Sequence, residues 1–178
     1  GRIYGDVRLY DDQGTGIHFY TNREDTIADQ EMTVELSRID LKQFKKVLPY
    51  LPDVEGWLGG SLHYVDSEGQ MMLSADMNLD NFVYEKSPLG NWTMSGAYLP
   101  GDNNAHHVDG FITYNDQEII YMNGVYQADE TGQENITGEL ELQHFPLQVI
   151  NPFIPEKMVG FTGDIDGTLS MSGSPMKP

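Results

Sequence analysis

The sequence predicts an all-β protein built as an antiparallel sheet with one apolar and one wet face. Three observations carry this. Apolar residues recur at every second position in segment after segment. Short polar loops containing glycine separate those segments. Helical periodicity is confined to two short stretches. Side chains on a strand alternate between its faces, so clean alternation reads as half-buried antiparallel strand rather than buried parallel sheet.

Taken in order, strands are expected at about 2–10 and 16–21, followed by Met32, Val34 and Leu36 alternating with Thr33, Glu35 and Ser37. A further strand covers 55–66. Next, Met71, Leu73, Ala75, Met77 and Leu79 share one face, and Met72, Ser74, Asp76, Asn78 and Asp80 the other. Segments 90–99, 106–115 and 117–127 continue the rhythm. Ile136, Gly138, Leu140 and Leu142 then alternate with Thr137, Glu139, Glu141 and Gln143. The last segment places Val159, Phe161, Gly163, Ile165, Gly167, Leu169 and Met171 on one face. Turn chemistry separates these at Asp11–Gly14, Asp66–Gly69, Pro100–Asn103 and Asp129–Gly132.

The two helical stretches lie near 40–48 and 146–151. In the first, Leu41, Phe44, Val47 and Leu48 share a helical face, Asp40 caps the start, and Pro49 and Pro52 end it. In the second, Pro146 occupies the first turn, and Pro152 and Pro155 stop it. Each stretch leads into a Pro-aromatic-aliphatic-Pro turn and then a glycine-punctuated strand. This defines a weak internal repeat, 40–64 against 143–169. The chain starts without an initiator Met and both begins and ends on strand-like sequence. It therefore reads as one β-rich domain over 1–178, excised from a longer repetitive protein.

Composition narrows the function classes. With 28 Asp plus Glu against 10 Lys plus Arg, the formal charge of −18 repels phosphate backbones and argues against nucleic-acid binding. The absence of Cys removes disulfides, thiolate metal sites and a Cys nucleophile. No apolar run reaches the ~18–20 residues of a membrane helix. A hydrophobic content of 39% is too high for a disordered acidic tail.

No catalytic constellation emerges, so neither an enzyme, a cofactor nor a metal is expected. The neighbours His106 and His107 point to opposite faces of a strand and cannot chelate together. Asp164-Ile165-Asp166-Gly167 lacks the later ligands of a calcium loop and reads as wet-face carboxylates. Glu139 and Glu141 read the same way.

Val54-Glu55-Gly56-Trp57-Leu58-Gly59-Gly60-Ser61-Leu62, Gly160-Phe161-Thr162-Gly163-Asp164-Ile165-Asp166-Gly167-Thr168-Leu169 and the closing Leu169-Ser170-Met171-Ser172-Gly173-Ser174-Pro175 carry a family resemblance. They resemble the AsmA-like and TamB group of bacterial envelope proteins, in particular TamB-related proteins of the Bacteroides type. Strands of the form Gly-x-Leu-x-Gly-x-Leu recur in that group. A Gly-Ser/Thr-Pro-x-x-Pro step commonly closes a unit, as Pro175 and Pro178 would here. The stretch 80–130 carries no strong signature.

The residues alone favour a closed β-sandwich, whereas the resemblance implies a long, curled, taco-like sheet with an open apolar groove. It also implies a protein of the Gram-negative cell envelope, anchored in the inner membrane and spanning the periplasm. Its expected work is outer-membrane protein assembly, secretion or phospholipid transport. The implied partners are phospholipid acyl chains and an outer-membrane barrel protein of the Omp85 type. Residues expected to line the groove are Leu73, Met77, Leu79, Ile136, Leu140, Leu142, Val159, Phe161, Ile165 and Leu169. A second reading uses the many aromatics (Tyr50, Trp57, Tyr64, Tyr84, Trp92, Tyr98, Tyr114, Tyr121 and Tyr126) in a cell-surface sandwich that binds glycan or protein.

Overall fold

A computed structural model describes residues 3–21, 28–128, 134–154 and 159–174. They form a single ten-stranded antiparallel sheet whose spatial order is the chain order. The strands are β1 (Asp6–Tyr10), β2 (Gly16–Thr21), β3 (Gln30–Asp40), β4 (Val54–Ser67), β5 (Gln70–Tyr84), β6 (Ser87–Pro100), β7 (Ala105–Tyr114), β8 (Gln117–Ala128), β9 (Glu134–Pro146) and β10 (Asp164–Gly173). Every segment expected from alternation contributes a strand, although β1 and β10 begin later than the alternation suggests. The stretch without a family signature, 80–130, belongs to β5–β8 of the same meander.

The sheet stays open and uncurled. No extended packing joins strands that are not neighbours, so the closed sandwich does not form and the implied curl is not found. A sandwich needs a second layer or a strand crossing back, and the nearest-neighbour order supplies neither.

Local chemistry explains the meander. Asp11 Oδ1 accepts from the backbone N–H of Gln13 at 2.8 Å and of Thr15 at 2.9 Å, closing the β1–β2 loop. Three other connections are tight hairpins with both central residues at positive φ: Glu68 (54°) with Gly69 (77°), Glu85 (47°) with Lys86 (69°), and Asn115 (48°) with Asp116 (65°). That backbone twist matches the right-handed twist of the strands it joins. Glu85-Lys86 lacks the usual Gly or Asn, which hid this turn from the sequence. The turn expected at Asp129–Gly132 lies outside the described residues, as do Pro155, Pro175 and Pro178.

Both helical stretches are shorter and tighter than their periodicity suggests. The first is a 3₁₀ turn (Leu41–Gln43) running into a single α-turn, α1 (Phe44–Val47). Asp40 caps it as expected, accepting from the backbone N–H of Lys42 at 3.0 Å. The second is a 3₁₀ segment (Leu147–Phe153) that holds Pro152 inside it rather than stopping there. Pro146 is not in its first turn but precedes it in extended backbone. Both follow odd-numbered strands, so they sit at the same end of the sheet.

That end differs from the rest of the sheet. The register slips between Leu36 and Ile39, Glu55 and Trp57, Leu79 and Val83, Ile112 and Thr113, and Ile165 and Gly167. These bulges form a seam across β3–β10. Asn side chains cap several: Asn91 Oδ1 accepts from Asn81 N–H at 2.8 Å, and Asn115 Oδ1 from Asn91 N–H at 2.9 Å.

A bulge leaves one residue unpaired and re-aims its side chain. The extra residues on β6 and β8 are Leu89 and Ile119, and they are the two most buried apolar residues described, 4% and 1% exposed. Val149 of the 3₁₀ segment is also buried, and Phe153 packs its ring 4.5 Å from that of Tyr84 at the end of β5. The seam thus builds a small core at one end, where the second helical segment folds over the strands.

This division predicts an uneven stability map. Ile119→Ala should cost about 2–5 kcal/mol, as for a fully buried aliphatic. Leu169→Ala, at a position 68% exposed, should stay within about 0.5 kcal/mol. Urea unfolding midpoints of the two variants provide the check.

Candidate functional site

Following the register from edge to edge shows what the sheet presents. One line of directly opposed residues reads Val7, Phe19, Val34, Leu62, Ala75, Gly96, Gly110, Met122, Leu140 and Leu169. It crosses all ten strands without a polar side chain. The adjoining line, pointing to the opposite face, reads Asp6, Tyr20, Thr33, His63, Ser74, Ala97, Asp109, Asn123, Glu139 and Ser170. Opposed residues share a face and successive ones do not. The sheet therefore carries a continuous apolar face and a continuous polar one.

Nothing among the described residues covers the apolar face. Leu9, Met94, Val108 and Met171 on it are 67%, 43%, 47% and 62% exposed. Contiguous apolar surface of this extent marks an interaction site in ordinary proteins. The face is also dished over β7–β10, where Val108, Met122, Tyr126, Ile136, Leu140, Leu169 and Met171 surround a concavity of about 430 Å³. Gly124 and Gly138, directly opposed, form its floor. A Cβ at Gly124 would meet only the Thr137 carbonyl oxygen at 3.6 Å, an ordinary contact. Space above the backbone, rather than backbone strain, is what this glycine contributes.

Of the residues expected to line a groove, Leu73, Met77, Leu79, Ile136, Leu140, Leu142 and Leu169 lie on this face by register. Ile165 continues the same side of β10, beyond the bulge, opposite Phe145. Val159 and Phe161 do not belong to it. They precede β10, which starts only at Asp164. The side-chain amide of Asn151 holds Phe161 by both backbone groups, donating to its carbonyl at 2.8 Å and accepting from its N–H at 2.7 Å. That clamp diverts the chain from the ladder just where alternation predicted more strand.

Met94, Val108 and Met122 escaped the sequence reading. They alternate correctly, but Gly96, Gly110 and Gly124 interrupt the apolar run and dilute its signal.

The polar face carries ion pairs. Asp6 accepts from His18 Nε2 at 2.9 Å and lies 3.2 Å from Arg8 Nε, while Glu35 lies 3.4 Å from His18 Nδ1. The hydrogen bond with His18, helped by Arg8, holds the Asp6 carboxyl below the usual carboxylate range. The hydrogen bond to Glu35 pushes the Tyr20 phenol up. His106 faces the apolar side and His107 the polar one, as their adjacency required. Among the described residues no group of three or more His, Asp or Glu is placed to hold a metal ion. No described helix is long and apolar enough to cross a membrane.

Asp164 is exposed at the start of β10, but Asp166 is more than a solvated carboxylate. Its Oδ1 accepts from the backbone N–H of His144 at 2.7 Å, at the β9 bulge where His144 has φ 47°. That bond, with the His144 ring beside it, lowers the Asp166 pKa from its ordinary 3.8.

A depressed carboxylate stabilises the fold above its unfolded pKa, and the contribution is lost as pH falls through the folded value. Asp166→Ala should therefore lower the urea midpoint by a constant amount above pH 3.8. The gap to wild type should close as pH drops further. A gap that persists unchanged in acid would show that the bulge does not depend on this carboxylate.

Comparison with protein-family models, with curated proteins and with solved structures finds no match to the chain.

Proposed function

We propose that the chain is a segment of a TamB-like scaffold that spans the periplasm of a Gram-negative envelope and carries phospholipid acyl chains along its apolar sheet face. The observation that supports this is the register line from Val7 to Leu169, apolar on all ten strands and uncovered. In this reading the full-length protein is anchored in the inner membrane. It delivers lipid, or supports assembly, at an outer-membrane barrel of the Omp85 type.

The physics of such a surface suits transport better than tight binding. Each methylene removed from water contributes ~0.8 kcal/mol wherever it lies on an apolar surface. A face without polar anchors therefore holds a chain firmly but at no single place. The dish over Gly124 and Gly138 gives a chain somewhere to sink between Met122, Leu140 and Met171. The polar face, with Asp6, Glu35, Asp109 and Glu139, stays in water and is repelled by anionic bilayer surfaces.

The aromatic-platform reading draws less support. Trp57 lies under the Arg38 guanidinium, 5.2 Å from its ring centre, and Trp92 packs 4.9 Å from Tyr114 while donating its indole N–H to the Leu89 carbonyl at 2.7 Å. Both rings are engaged with neighbouring side chains of the sheet.

Native mass spectrometry of gently purified protein tests the proposal. Wild type should carry phospholipid, and Leu140→Asp, on the central line of the apolar face, should carry several-fold less with unchanged circular dichroism. Folded wild type free of lipid, or equal loading of the two proteins, would overturn it.

A further inference from the structure

We infer that, in the absence of lipid, two copies of this chain stack apolar face to apolar face, with β1–β3 of one copy over β8–β10 of the other. This does not rest on the lipid reading; it follows from area, charge and shape.

The chain exposes 12226 Å². A compact monomer of 20.0 kDa would expose ~8,700 Å². The excess is roughly 3,500 Å², while a standard stable interface removes only ~800 Å² from each partner. One face of ten strands ~4.8 Å apart and about ten residues long spans roughly 1,500 Å², more than a stable dimer needs.

Charge permits the contact. At −18 per chain, two copies repel in most orientations. The carboxylates of the two register lines lie on the polar face, and those on the apolar side, Asp66 and Glu134, stand at the strand ends, so stacking the apolar faces keeps them away from the centre of the contact. No charged side chain occupies the central line of the apolar face.

Shape selects the arrangement. Near the middle of the face glycines are denser on one half of the sheet, with Gly96, Gly110, Gly124 and Gly138 on β6–β9 against Gly60 alone on β1–β5. The other half otherwise carries larger side chains at the same level. A two-fold axis parallel to the strands, passing between β5 and β6, lays β3 over β8 and β4 over β7 of the second copy. Met32 then falls over Gly124, and Leu62 over Gly110, and the same contacts repeat by symmetry. The alternative axis, across the strands, lays each strand over its own copy and matches large to large.

The chain has no cysteine, so introduced thiols report cleanly. Val7→Cys with Leu169→Cys places thiols on β1 and β10, ~43 Å apart within one sheet. In the proposed stack they lie across the ~10 Å gap between packed sheets. A short bis-maleimide should therefore give covalent dimer from the double variant and little from Val7→Cys alone. Light scattering in lipid- and detergent-free buffer should show wild type as a dimer. Met94→Asp, beside the axis and 43% exposed, should be a monomer with unchanged circular dichroism.

Three results would overturn the inference: a monomeric wild type free of bound lipid; equal cross-linking through Val7→Cys alone; or a dimer that survives Met94→Asp in a folded chain. The last would indicate pairing through a sheet edge.

Discussion

The backbone ladder is the interaction on which everything else in this protein depends. In most domains a second layer buries one face of a sheet and supplies the stabilising area. No such layer is present among the described residues. Among the described residues only Ala28, Leu89, Ala105, Ile119 and Val149 form buried apolar core. What holds β1 to β10 in place is the run of hydrogen bonds between sequence neighbours, closed by hairpins such as Glu68-Gly69 and Asn115-Asp116. Each such bond is worth only about 0.5–1.5 kcal/mol net, but the ladder repeats it along ten strands. The pairings are local in sequence, so little loop entropy opposes them.

The seam of bulges is where that ladder gives way, and among the described residues it is also where the most deeply buried apolar side chains, Leu89 and Ile119, lie. Bulges free Leu89 and Ile119 from the alternating pattern and bury them at one end, where the 3₁₀ segment brings Val149 and Phe153. Stability from packing is thereby concentrated away from the broad apolar face. The face itself is left with a different task, since residues such as Leu9 and Leu169 contribute little to the fold while exposed. A surface that is costly to leave wet, and is not used for internal packing, is one that a lipid chain or a second copy of the sheet can cover.

The strong acidity takes on a direction in this light. Asp6, Glu35, Asp109 and Glu139 sit on one side of a single layer, with Asp6 and Glu35 both in cross-strand contact with His18. The charge therefore has a side as well as a magnitude. It leaves the neutral side available and keeps the polar side turned to water.

The sequence by itself determined the strands and their two faces. The alternation of Met71–Leu79 and of Ile136–Leu142 is a local property with a period of two, and it survives intact in the structure. Seven of the groove candidates, Leu73, Met77, Leu79, Ile136, Leu140, Leu142 and Leu169, were legible for that reason. Only the tertiary structure decided the rest. Whether an apolar face folds onto itself or stays open depends on how strands follow one another in space, which no single segment encodes. The Asn151 clamp that removes Phe161 from β10, the Glu85-Lys86 turn without glycine, and the opposition of Gly124 to Gly138 all arise between residues that periodicity does not connect. Alternation specifies which side of a strand is apolar; register and bulges specify what that side meets.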